Sequence, residues 1–188
     1  MLDTLKSYAQ ENNIPIICDA GLLFLKESIK KYHVKDVLEI GSAIGYSALV
    51  MSTFGCNIDT MERDLYMLEV CKKHLAIYDI NHKIKLIEAD AIFYDGKLNT
   101  YDLIFIDAAK AQYQRFFEKY TPYLKPNGIV ICDNLRFHDL DIDKVNRNTR
   151  QLIKKLESFK SFLINHQDFE TTFHDLGDGM TLSQRKIK

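Results

Sequence analysis

Apolar residues recur along this chain in two alternating rhythms: short unbroken runs and stripes at helical spacing. The runs are Asp36 to Ile40, Ile58 to Met61, Ile84 to Glu88, Tyr101 to Ile106 and Ile129 to Cys132. Continuous apolar runs of this length read as strands buried on both faces, as in parallel sheets. The stripes lie between them. Leu2, Leu5 and Ala9 predict a short helix ending at Asn12-Asn13, before extended Ile14-Pro15-Ile16-Ile17. Asp19 is a candidate N-cap for a helix through Tyr32. After the turn at Gly41 to Gly45 a helix runs to Phe54, and Leu65, Leu68, Cys71, Leu75 and Tyr78 mark the next. Further helices are expected from Gln112 to Leu124 and from Asp143 to Asn165, the latter with Val145, Leu152, Leu156, Phe159 and Leu163 on one face.

Turn residues divide these elements. Asp95-Gly96 marks a turn in a connection with little room for a helix, so one sheet face is expected to lack a helix there. Pro126-Asn127-Gly128 reads as a turn into the strand that follows. Gly177-Asp178-Gly179, between Phe169 to His174 and Met180 to Gln184, reads as a hairpin that makes the last strand antiparallel. The expected fold is a twisted α/β sheet covered by helices on both faces. One domain spans 1–188, with N-terminal helices over 1–34 and the core over 35–188.

Candidate chemistry gathers where the runs end. The Tyr101 run stops at Asp107, with Lys110 and Tyr113 just beyond, and the Ile129 run stops at Asp133-Asn134. Sites in open α/β sheets form at the carboxyl ends of strands, so neighbouring strands would bring Asp107, Asp133 and Asn134 to one crevice. Three oxygen donors suit a hard cation such as Mg²⁺. Either aspartate alone reads as a helix cap; the set together, with Lys110, reads as a site. Upstream, Gly41-Ser42-Ala43-Ile44-Gly45 puts two glycines where the chain leaves the first strand. Ala43 and Tyr46 break the G-x-G-x-x-G dinucleotide pattern. Glu62, roughly 20 residues on, is placed as a ribose-binding carboxylate. With Asp90 ending the third strand, a nucleoside-like ligand is expected.

Composition narrows the classes. The 188 residues are 46% hydrophobic and 27% charged, with net charge −1, as in an ordinary globular protein. That balance gives no global case for nucleic acid or membrane binding. Cys18, Cys56, Cys71 and Cys132 form no paired metal motif and read as small apolar residues. Without a secretory segment or a run of ~20 apolar residues, a cytoplasmic protein is expected. His74, His82 and His174 read as surface residues.

Glu39-Ile40-Gly41-Ser42-Ala43-Ile44-Gly45-Tyr46-Ser47, Glu62-Arg63 and Ile106-Asp107-Ala108-Ala109-Lys110 with Tyr113 resemble the class I S-adenosylmethionine-dependent methyltransferases. Asp133-Asn134 narrows the resemblance to the cation-dependent O-methyltransferases. Within that group, Ile14-Pro15-Ile16, Asp107 to Tyr113 and the tail around Gly177 to Met180 look most like the bacterial tRNA 5-hydroxyuridine methyltransferases. The resemblance implies the seven-stranded Rossmann-like methyltransferase sheet with a reversed last strand, and a homodimer. Its cofactor residues would be Glu39, Gly41, Ser42, Gly45, Tyr46, Ser47, Glu62, Arg63, Asp90, Ala91, Asp107 and Tyr113. Asp107, Asp133 and Asn134 would bind Mg²⁺ or Mn²⁺, and Lys110 would lie beside the reacting hydroxyl and take its proton.

The acceptor implied is the 5-hydroxyl of a wobble uridine in a tRNA anticodon loop; the alternative is a small catechol or phenol. The RNA reading draws on Lys144, Arg147, Arg150, Lys154, Lys155 and Lys160, set against Asp143 and Glu157. Arg147, Arg150 and Lys154 share a helix face, and such a stripe can hold phosphates on a neutral protein. Arg136, in the loop Leu135-Arg136-Phe137-His138, is a further phosphate candidate. The chain departs from the family in starting near the helix before Pro15, which reads either as a truncation that leaves a more open pocket or as a naturally short member. The tail Arg185 to Lys188 adds charge and is expected to be disordered. A nicotinamide oxidoreductase would share Glu62 but would not need the convergent Asp107, Asp133 and Asn134. A nucleoside-binding module without catalysis would need neither those groups nor Lys110.

Overall fold

A computed structural model describes residues 2–135 and 145–187. Seven strands form one sheet: β1 (Asp36–Ile40), β2 (Asn57–Glu62), β3 (Ile84–Glu88), β4 (Tyr101–Ile106), β5 (Leu124–Cys132), β6 (Phe169–His174) and β7 (Met180–Arg185). Their order is β3-β2-β1-β4-β5-β7-β6. All neighbours in the first five pair parallel, whereas β7 runs antiparallel to both β5 and β6. The hairpin reading of 177–179 therefore holds, and the reversed strand returns its turn to the carboxyl ends of the parallel strands.

Strand alternation divides the core in two. Val37, Leu103, Phe105, Ile129 and Ile131 face α1 (Leu2–Glu11), α2 (Asp19–Lys31) and α3 (Tyr46–Thr53), whose Leu5, Leu25 and Leu49 are buried there. Leu38, Ile104, Ile106, Val130 and Cys132 face α5 (Tyr113–Tyr120) and α6 (Arg147–Ile164), through Phe116, Phe117, Leu156, Phe159 and Leu163. α4 (Leu65–Tyr78) buries Leu68, Val70 and Cys71. Among the described residues no helix is long and apolar enough to cross a membrane.

Several boundaries differ from the sequence expectation. Asp19 is the first residue of α2, its N-cap is Cys18, and its carboxylate pairs with Lys6 instead of capping. Leu65 is exposed at 80%, because the stripe of α4 begins a turn later. The helix expected from Gln112 is broken by 3₁₀ turns at Lys110–Gln112 and Thr121–Tyr123. Pro126-Asn127-Gly128 lies within β5, and its register against β4 shifts between Tyr101 and Leu103. Residues 125–128 there stand opposite Asp102 alone, an irregularity of the ladder at which proline is tolerated in a strand.

The segment 91–100 carries no helix, as expected, but that face is not bare. Ile92, Tyr94 and Leu98 pack on the core, and Tyr120 Oη donates to Ala91 O at 2.7 Å. His74 is half-buried, with Nδ1 2.9 Å from Ile44 O and its ring edge-on to Tyr8. His174 packs on Phe24. The tail is tied down: Arg185 donates to Thr121 O, and Lys186 N–H to Asp168 O. Three cysteines are buried and Cys18 is exposed.

Candidate active site

The carboxyl ends of the strands are laced together before any loop begins. Gly41 N–H and Ser42 N–H both donate to Met61 O at 3.0 Å, Asp107 N–H to Ile40 O, and Asp133 N–H to Ile106 O. Gly41 sits at φ +100°, and a Cβ there would lie 2.1 Å from Asp107 O. Only glycine allows that backbone approach and that dihedral. Glu62 then fixes the turn: one carboxylate oxygen accepts Ala43 N–H at 2.8 Å, and the other accepts the N–H groups of Arg63 and Asp64.

Two hollows meet over this turn. The first, of about 370 Å³, runs between Glu62, Arg63, Asp90 and Ala91 on one side and Ala108, Gln112 and Phe116 on the other. Arg63 donates to Asp90 Oδ2 at 2.8 Å, and Ile92 N–H donates to Asp90 Oδ1. Burial raises the Asp90 carboxyl, but these two bonds and the Arg63 charge outweigh it and hold it below its ordinary value. Size, the Gly41 backbone and the Glu62 carboxylate at the end of β2 suit a nucleoside.

The second hollow, of about 360 Å³, is lined by Ser42, Tyr46, Asp107, Lys110, Asn134 and Asp178, with Pro15, Ile16 and Ile17 opposite. Gly41, Ala43, Asp107 and Ala108 line both hollows. A ligand in each would therefore meet over these residues. Asn134, at φ +64°, donates its side-chain amide to Asp107 Oδ1 at 2.9 Å, and its N–H to Asp133 Oδ1 at 2.6 Å. Asp133 is 4% exposed. Burial and the neighbouring Asp107 charge push its carboxyl up to about 7. Asp107 is likewise raised, chiefly by burial. Among the described residues no three His, Cys, Asp or Glu side chains gather as a metal site. Asp107 and Asn134 line the hollow and Asp133 lies behind them; the repulsion between the two carboxylates is of the kind a hard cation would relieve.

Other expected residues stand behind the walls. Glu39 is fully buried, accepting from Ser47 Oγ and Thr60 Oγ1 at 2.5 Å, and burial pushes it up to about 7. It braces α3 against β2. Gly45 caps α3 in the left-handed conformation. Tyr113 is buried and donates to Asp133 O at 2.8 Å, so it props the Asp133-Asn134 turn from below. Arg147, Arg150 and Lys154 are exposed on α6 and line neither hollow, although α6 packs against the turn Lys110–Gln112 that borders both. Arg136, Phe137, His138, Asp143, Lys144 and Lys188 lie outside the described residues.

Asp178 was not singled out from the sequence. It lines the second hollow, and its charge raises both Asp107 and Asp133. Gly179 O accepts Leu135 N–H at 3.0 Å, which latches its hairpin to the Asp133-Asn134 turn. The legible signal was a glycine-flanked aspartate at the start of a reversed strand.

The chain matches the profile of the O-methyltransferase family over residues 2–186. It is 29% identical to tapetum-specific methyltransferase 1 of Arabidopsis thaliana, over 98% of this chain and 83% of the relative. A crystal structure from Staphylococcus aureus, of a protein classed as a caffeoyl-CoA O-methyltransferase, superposes with TM-score 0.92 at 37% identity, covering 98% of this chain and 92% of the other. The Podospora anserina methyltransferase PaMTH1, solved with S-adenosylhomocysteine (SAH) bound, shares the fold at TM-score 0.75 and 24% identity, covering 98% and 95%. Sheet order, paired hollows and profile agree: this chain belongs to the O-methyltransferase family.

Proposed function

We propose that the protein transfers the methyl group of S-adenosylmethionine to a hydroxyl of a small catechol or phenol, with a divalent cation, Mg²⁺ or Mn²⁺, as partner. The observation that carries this reading is the meeting of the two hollows over Gly41 and Asp107, with Lys110 and Asn134 on the acceptor side. The likeness to a protein classed as acting on caffeoyl-CoA, itself a catechol derivative, supports the small aromatic acceptor.

On the donor side, Glu62 would accept the ribose hydroxyls, while Arg63, Asp90 and Ala91 would border the base. The backbone of Gly41 and Ser42 would take the amino-acid end. On the acceptor side, Asp107, Asp133 and Asn134 would hold the cation, which lowers a bound hydroxyl's pKa and orients it. Lys110, which lines this hollow, would take the hydroxyl proton. The walls shared by both hollows would hold donor and acceptor together, and positioning supplies much of the rate gain in such a displacement. Glu62→Ala removes the ribose acceptor and frees three N–H groups of the turn. S-adenosylmethionine affinity is expected to fall by about 2–3 kcal/mol, as calorimetry would register; unchanged affinity would place the ribose elsewhere.

A second reading, methylation of wobble 5-hydroxyuridine in tRNA, is favoured by one observation: Arg147, Arg150 and Lys154 are all exposed on α6. The deciding experiment offers one preparation catechol and tRNA bearing 5-hydroxyuridine. Turnover of catechol alone supports the small-molecule reading. Product on tRNA alone, with KM raised by charge reversal at the stripe, would transfer the assignment to RNA.

A further inference from the structure

The turn from Gly41 to Gly45 supplies walls to both hollows, and its shape is one that the backbone does not hold unaided. Gly41, Ala43 and Gly45 all stand at positive φ, at +100°, +44° and +82°. Two of the three are glycines. Ala43 is not, and a residue with a side chain keeps the left-handed conformation only where its surroundings over-determine it. Glu62 supplies one restraint, accepting Ala43 N–H at 2.8 Å. The same carboxylate is the one read above as the ribose acceptor, so with a donor bound its oxygens would serve the ligand as well as the turn.

A second restraint reaches the turn from α4 and lines neither hollow. Cys71 Sγ lies 3.3 Å from Ser42 Oγ, and a Cβ on Gly45 would come within 2.9 Å of that sulfur, so helix and turn are in close contact. Three residues on, along the same helix face, His74 sets Nδ1 2.9 Å from Ile44 O. A carbonyl only accepts, so Nδ1 carries the hydrogen and donates it. Ile44 is fully buried, and no backbone N–H of the described residues bonds its oxygen. A buried peptide oxygen left without a partner is costly, and the imidazole removes that cost. The ring is itself braced edge-on against Tyr8 of α1, with centroids 5.1 Å apart. Two side chains from different elements thus grip neighbouring residues of one turn, Glu62 at Ala43 N–H and His74 at Ile44 O.

We propose that His74 is a positioning residue for the methyl donor: through Ile44 O it holds the Gly41 to Gly45 turn in its binding shape before the donor arrives. The proposal rests on the S-adenosylmethionine reading of the first hollow. Its test is a calorimetric Kd for S-adenosylmethionine in the wild type and three variants. His74→Phe keeps a ring against Tyr8 but has no hydrogen to donate. His74→Asn gives up the ring but carries its amide nitrogen at the same remove from the backbone as Nδ1. The Kd of His74→Phe is expected to rise about fivefold, as loss of one neutral hydrogen bond would give, and that of His74→Asn to stay within about twofold of the wild type. His74→Ala, with neither ring nor donor, is expected to bind as weakly as His74→Phe and replaces it in the comparison should the larger ring prevent folding. Wild-type affinity in both His74→Phe and His74→Ala would overturn the proposal. So would weakening of His74→Asn to the level of His74→Ala, which would assign the effect to ring packing. Either result leaves the donor reading intact, whereas a wild-type protein that does not bind S-adenosylmethionine would remove that reading and the proposal together.

Discussion

Excess chelator is expected to abolish methyl transfer, and Mg²⁺ or Mn²⁺ to restore it. Asp133→Ala should lower kcat by about a thousandfold, since a Lewis acid at the reacting oxygen contributes several kcal/mol and each ~1.4 kcal/mol is tenfold in rate. S-adenosylmethionine binding should survive that change, because Asp133 lines neither hollow. Stability gives an independent readout. Asp133 is pushed up to about 7 by burial and by Asp107, so without a cation the native state holds that proton more tightly than the unfolded chain. The resulting stabilisation is complete below about pH 4 and is lost as pH rises through about 7. Glu39, also pushed up to about 7, adds a loss of the same sign. A cation bound to Asp107, Asp133 and Asn134 would offset the shares of Asp133 and of Asp107, whose carboxyl burial also raises, but not that of Glu39. The rise in melting temperature on adding Mn²⁺ should therefore be larger at pH 8 than at pH 5.5. Full activity in chelator, or a rise independent of pH, would show that the convergence serves only structure.

Gly41→Ala is expected to cost about 3 kcal/mol of stability and to eliminate detectable cofactor binding. The new Cβ would stand 2.1 Å from Asp107 O and 3.1 Å from Ala108 Cβ, at φ +100°. Relief requires β1 and β4 to part where the two hollows share their wall. Gly55→Ala separates the two causes. Gly55 has a similar φ of +93° but no atom within 4 Å of the added carbon, so it should cost only the dihedral strain, roughly 1 kcal/mol. Equal losses in the two variants would show that the close approach to Asp107 is unimportant.

The sequence carried the positions of most elements because their signals are local. Buried strands and helix stripes announce themselves by period, so β1, β3 and β4 fall at the bounds read from the pattern. Local rules misled where tertiary packing overrode them. Pro126-Asn127-Gly128 has turn chemistry, yet β5 carries it as an irregularity in its pairing with β4. Asp19 has a cap's identity, yet the Lys6 ammonium from another helix takes its carboxylate.

By itself, then, the sequence determined the alternation of helix and strand, the glycine turn after β1, and the carboxylates and amide that end β1 to β5. Each depends on neighbours a few residues away. The tertiary structure decided what those groups face. Strand order places Asp107 beside Gly41 rather than beside Asp90, and buries Glu39 and Tyr113 as braces instead of contacts. Reversal of β7 brings Asp178 to the acceptor hollow. The packing of α1 against α3 places Pro15 to Ile17 on the opposite wall. These relations join residues far apart in the chain, and the energy that fixes them is burial of two sheet faces, which no local pattern encodes.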